Sequence, residues 1–154
     1  MKKILLIITP GRQSTEALHY ALHKAKETKG TLKVVYIIDR EMTQDLQNNL
    51  AEIGFIGDRP GEELSDALNK EYHARGKKVL EEVEKQARTF QVPVESELKT
   101  GSYLDICEEE VRKETPTLLV ATEKKDSFLK KVFEGSETKR LKDRVSCELK
   151  VYQS

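Results

Sequence analysis

The sequence predicts a single doubly wound α/β domain, a five-stranded parallel sheet of order 3-2-1-4-5 with helices on both faces. Three observations predict it. Five strand-like runs alternate with helical runs, the βαβα pattern of a parallel sheet. Runs one, two and four are continuously apolar, as strands covered on both faces are, whereas runs three and five alternate polar with apolar and belong at the edges. With 154 residues and 37% hydrophobic content, the chain suits one core and one domain over residues 1–154. Right-handed crossovers then put the switch point between strands one and four.

The first run, ILLIIT (4–9), is followed by a helix from about Ser14 to Lys29, with Ala17, Leu18, Ala21, Leu22 and Ala25 on one stripe. Gly30 is the expected stop. The second run, LKVVYII (32–38), leads into a variable insert at about 40–64, where Met42, Leu46 and Leu50 suggest a short amphipathic turn before FIGDRPG. A long charged helix from about Ser65 to Phe90 buries Leu68, Tyr72, Leu80, Val83, Ala87 and Phe90, with Gly76 allowing close approach. The third run, VPVESEL (92–98), contains Pro93, which an edge tolerates. A helix from about Tyr103 to Lys113 presents Leu104, Cys107 and Val111. Run four, TLLVA (117–121), precedes a polar loop and a helix carrying Phe128, Leu129, Val132 and Phe133. Ser136 reads as the N-cap of residues 137–144, with Glu137 in the first turn, and CELKVY (147–152) closes the sheet.

Composition removes several function classes. Lys plus Arg and Asp plus Glu stand at 27 each, so no overall field recruits nucleic acid or an anionic membrane. Residues 122–144 are locally basic, but interspersed carboxylates read as a solvated helix. No segment approaches the roughly 20 apolar residues of a membrane span, and MKKILLIITPG reads as a first strand rather than a leader. Cys107 and Cys147 form no C-x-x-C pair, which points to a reduced, cytoplasmic setting and to buried apolar roles. His19 and His23 have the i, i+4 spacing of a helical metal pair but lack third and fourth ligands, so no metal site is expected. The acidic residues that a phosphoacceptor domain needs after strands one and three are absent, since Thr9-Pro10 and Thr100-Gly101 stand there.

Ligands of doubly wound sheets sit beyond the carboxyl ends of the strands at the switch point, which singles out Thr9 to Arg12 and Thr122 to Lys125. The stretch LLVATEKKDSFLKKVFEGS (118–136) keeps the frame of a phosphate-binding loop. It resembles the universal stress protein family, whose nucleotide-binding members carry G-x2-G-x9-G-[ST] here. On that frame the first two glycines fall on Thr122 and Lys125, while Gly135 and Ser136 match. A Cβ obstructs both the backbone geometry and the close approach that an amide cradle requires. The resemblance covers nearly the whole chain: ILLIITPGRQSTEALHYAL is similar to the first strand and helix, LKVVYIID to the second strand, LKTGSYLDI to the third strand and turn, and CELKVY to the closing strand.

The resemblance implies one universal stress protein domain over 1–154. It further implies that Thr9 stands where ATP-binding members have a carboxylate, and that Ile37 is the strand-two residue against the adenine. With that carboxylate and two glycines replaced, the expectation is a non-catalytic stress-response domain of the branch not dependent on ATP, acting as a dimer and through a protein partner. The alternative is an adenine-nucleotide binder with a divergent loop, with ATP as the candidate ligand at Thr9, Ile37, Thr122, Lys125, Gly135 and Ser136. A weak ATPase would need a metal-organising carboxylate from Glu123 or Asp126. The expected dimer runs through the last strand, where Cys147, Leu149 and Val151 alternate with Glu148, Lys150 and Tyr152. An antiparallel pairing near Leu149 brings Glu148 and Lys150 of two copies within reach of each other.

Overall fold

The protein is described by a computed structural model covering residues 2–10, 14–39, 61–123 and 137–153. Nine elements follow one another: β1 (Lys3–Ile8), α1 (Thr15–Glu27), β2 (Thr31–Asp39), α2 (Gly61–Thr89), β3 (Val94–Gly101), α3 (Tyr103–Glu114), β4 (Leu118–Glu123), α4 (Glu137–Arg144) and β5 (Glu148–Gln153). The strands form one sheet of order β3-β2-β1-β4-β5 with every neighbour parallel. The alternating runs are indeed the edges. Strand alternation splits the core in two. Ile4, Leu6, Leu32, Val34, Tyr36 and Val120 pack against α1 and α2, while Leu5, Ile7, Val35, Ile37 and Leu119 pack against α3 and Leu141 of α4.

The α1 stripe is buried as its spacing predicts, and Ser14 opens the helix by accepting a 3.1 Å bond at Oγ from the Ala17 amide. Its end differs from the expectation. Lys29, not Gly30, takes the left-handed turn (φ 54), with Lys29 N donating to Lys26 O and Gly30 N to Ala25 O. Glycine is required at 30 for a different reason: a Cβ there would lie 2.0 Å from the carbonyl oxygen of Lys2. Gly76 does allow close approach, since a Cβ on it would meet Leu98 and the Tyr36 ring at 2.7 to 2.9 Å.

α2 begins at Gly61, four residues before the expected Ser65, because a first helical turn needs no intrahelical partner for its amides and tolerates glycine. β3 begins at Val94 rather than at 92. Val92 N is still closing α2 onto Ala87 O, and Pro93 contributes only its carbonyl, which accepts from Leu32 N at 2.9 Å. The expected amphipathic turn at Met42 to Leu50 and the helix carrying Phe128 to Phe133 lie outside the described residues.

One feature of β2 contradicts its reading as a continuously apolar run. Lys33 is buried on the α3 side, where its Nζ lies 3.1 Å from Glu97, 3.5 Å from Glu95 and 3.5 Å from Glu114. Lys3 reaches the other oxygen of Glu114 at 2.5 Å, and Lys99 pairs with the fully buried Glu110. Burial opposes the Lys33 charge, but Glu97, Glu110 and Glu114 outweigh it and its pKa is raised. The hydrogen bond to Glu110 raises that of Lys99, and Lys3 holds the Glu114 carboxyl below its ordinary range. The inner half of α3 is therefore fastened to β1, β2 and β3 partly by ion pairs rather than by apolar packing alone.

Candidate functional site at the carboxyl ends of the strands

Each strand end at the switch point supplies one group. Thr9 follows β1 directly and is 5% exposed. Its Oγ1 has no hydrogen-bond partner among the described residues. A hydroxyl held from water in that state costs about 1–3 kcal/mol relative to a satisfied one. On the neighbouring strand the Ile37 side chain is fully buried in the α3-side core with Leu5, Ile7 and Leu119.

Asp39 ends β2 and has a task inside the fold. Its Oδ2 accepts from the backbone N–H of Tyr103 at 3.2 Å, which closes the first turn of α3. The residue at the N-cap of α3, Ser102, makes no side-chain capping bond. The β2–β3 pairing sets Asp39 beside Gly101, and so brings an aspartate 64 residues away to the first amide of α3.

At β4 the strand extends two residues beyond the expected end. Thr122 pairs with Tyr152 and Glu123 with Gln153, so Thr122 is a buried strand residue rather than the first residue of a loop. The physical reason is that β5 continues alongside and a β-branched threonine suits a ladder position. Lys125, Gly135 and Ser136 lie outside the described residues, and the structure brings Thr9, Asp39 and Thr122 to the same end of the sheet. α4 begins at Glu137, and the N-cap reading of Ser136 lies outside the described residues.

α4 is tied to α3 by Arg144, whose Nη2 donates to Asp105 at 2.6 Å and whose Nε donates to Glu108 at 2.8 Å. Arg144 holds the Asp105 carboxyl below its ordinary range, and the two acids raise the arginine in turn. Neither α4 partner was legible in the chain, because Arg144 and Asp105 are 39 residues apart.

Other candidates disperse. The His23 ring packs edge-on to Phe90 at 5.2 Å, and no group of three or more metal-binding side chains occurs among the described residues. Burial pushes the Cys147 thiol up, away from thiolate chemistry. A groove of about 470 Å³ along α2 is lined by Asn69, Lys70, His73, Ala74 and Lys77, and none of Thr9, Asp39 and Thr122 lines it. No helix among the described residues is long and apolar enough to cross a membrane.

Against known proteins, residues 1–153 match the profile of the universal stress protein family. No curated protein matches the chain. Among solved structures, the universal stress protein UspA from Lactobacillus plantarum is similar at 18% identity and a TM-score of 0.68, over 98% of this chain and 97% of that one. A universal stress protein in complex with cAMP is 13% identical, with a TM-score of 0.67 over 99% and 96%. A family protein from Arabidopsis thaliana with AMP bound is 16% identical, with a TM-score of 0.57 over 99% and 92%. At these identities the structural likeness concerns the fold.

Proposed function

We propose that this chain, which belongs to the universal stress protein family, is a non-catalytic stress-response domain that acts as a homodimer and does not depend on ATP. The observation that carries the reading is Thr122 inside the β4 ladder. An amide cradle needs consecutive backbone N–H groups turned towards a phosphate, and a buried, ladder-paired, β-branched residue supplies none at the first glycine position of the family motif. A cytoplasmic setting, inferred from two cysteines that form no C-x-x-C pair in the sequence, belongs to the same proposal.

The dimer rests on β5. It is an edge strand, and Glu148 and Lys150 on it are exposed. The Lys150 ammonium lies 5.6 Å from the Tyr20 ring centre and 5.4 Å from that of Tyr152, which holds it at the edge. Antiparallel pairing of two β5 strands sets each Glu148 against the other copy's Lys150. Sedimentation of the purified protein at micromolar concentration is expected to give a dimer. Glu148→Lys should weaken it, and Glu148→Lys with Lys150→Glu should restore it, because the exchange reinstates opposite charges. A monomeric parent, or a dimer indifferent to Glu148→Lys, contradicts the β5 contact.

A second reading, an adenine-nucleotide binder with a divergent loop, is favoured by the unpartnered Thr9 hydroxyl at the switch point and by the AMP- and cAMP-bound relatives.

A further inference from the structure

α4 is too short to stand alone, and it is fastened at its last turn, where it hands the chain to the β5 edge. At 8 residues it falls below the roughly 12–15 that an isolated helix needs. It holds its shape through its contacts: Leu141 is buried in the α3-side core, and Arg144 clamps Asp105 and Glu108 on the first two turns of α3. We infer that this clamp, on the β5 dimer reading on which the inference rests, pre-sets the start of β5 for pairing with a second copy, so that Arg144, Asp105 and Glu108 are positioning residues of the dimer interface.

The connection from clamp to strand is short. Val145 N still donates to Leu141 O at 3.1 Å, which leaves Ser146 and Cys147 between the last helical bond of α4 and Glu148, the first residue of β5. Val145, Cys147 and Leu149 pack against the same core cluster as Leu141, so a shift in the last turn of α4 is passed to the start of the strand. Glu148 and Leu149 are the residues that antiparallel pairing near Leu149 sets against the other copy. A strand whose start is already ordered loses less freedom on association, and the apparent affinity falls with the fraction of chains in the competent arrangement. In a homodimer that fraction enters once for each copy. Removing Arg144 strands no buried charge, because Asp105 is exposed and Glu108 also meets Arg112, at 3.6 Å, one turn further along α3. The effect is therefore local to α4 and β5 rather than a loss of the fold.

Sedimentation over a dilution series at one salt concentration, on the parent protein, on Arg144→Gln and on Asp105→Asn with Glu108→Gln, tests this. Either change should raise the dimer dissociation constant roughly three- to tenfold, the worth of two partly exposed clamps, one per copy. All three substitutions together should weaken the dimer no further than either change alone, since both remove the same clamp. At dilutions where the protein is monomeric, hydrogen exchange should quicken over residues 141–149 in the variants and stay unchanged over β1 and β2. A dissociation constant that Arg144→Gln leaves unchanged overturns the inference and leaves the dimer reading standing. Effects that add in the combined variant do the same, because they show Arg144 touching the other copy directly. Exchange that quickens in β1 and β2 as well shows a role in the whole fold and likewise overturns it. A monomeric parent, or a dimer indifferent to Glu148→Lys, overturns the dimer reading and the inference together.

Discussion

Lys99→Met is expected to destabilise the protein by about 3 kcal/mol, the lower end of what removing one partner of a buried ion pair costs. The Glu110 carboxylate is fully buried, and Lys99 is the cation it meets in ion-pair contact among the described residues. Lys99 itself is 21% exposed, which places the expectation at the low end of the range. The effect should be asymmetric. Glu110→Leu, of similar volume, frees Lys99 to turn towards Glu97, 3.9 Å away, and should cost less than about 1 kcal/mol. The double variant Lys99→Met with Glu110→Leu should recover most of the loss, a coupling that a cycle of urea-unfolding measurements at fixed protein concentration reads directly. A Lys99→Met cost below about 1 kcal/mol would show that Glu110 has another means of satisfying its charge.

Gly30→Ala is the second large effect. The added Cβ would sit 2.0 Å from Lys2 O and 2.9 Å from Lys2 C, both backbone atoms, so the strand entrance must move. Lys2 O also accepts the 3.0 Å bond from Thr31 N, where β1 and β2 first meet. A loss of about 2–3 kcal/mol is expected, in the range for overpacking a tight site. Lys29→Gly should act in the opposite direction and stabilise by up to about 1 kcal/mol, because residue 29 holds φ 54, a conformation glycine reaches without a Cβ penalty. Thermal unfolding of the two variants separates these roles. A harmless Gly30→Ala would mean that the N-terminal turn yields freely.

Much of this fold was legible because it is periodic. The α1 stripe, the alternation of β3 and β5 and the unbroken apolar centre of β2 each follow from local sequence, and together they fix the strand order. What escaped was non-local or polar. Lys33 sits inside a run that reads as apolar, and only the arrival of Glu97, Glu110 and Glu114 from β3 and α3 explains how its charge is tolerated. Glycine 30 carried a helix-stop signal, yet its requirement comes from the carbonyl of Lys2 on a different element. At the candidate site, Thr122 looked like a loop residue because its strand partner, Tyr152, lies 30 positions later in the chain. Asp39 was visible as a strand-ending acid, but its bond to Tyr103 could not be read from either residue alone.

The claim that this family member works without ATP is tested most directly by titration calorimetry of the intact protein with ATP and Mg²⁺. Thr122 in the ladder and Thr9 in place of a carboxylate predict binding no tighter than high micromolar. A sub-micromolar dissociation constant would contradict the account.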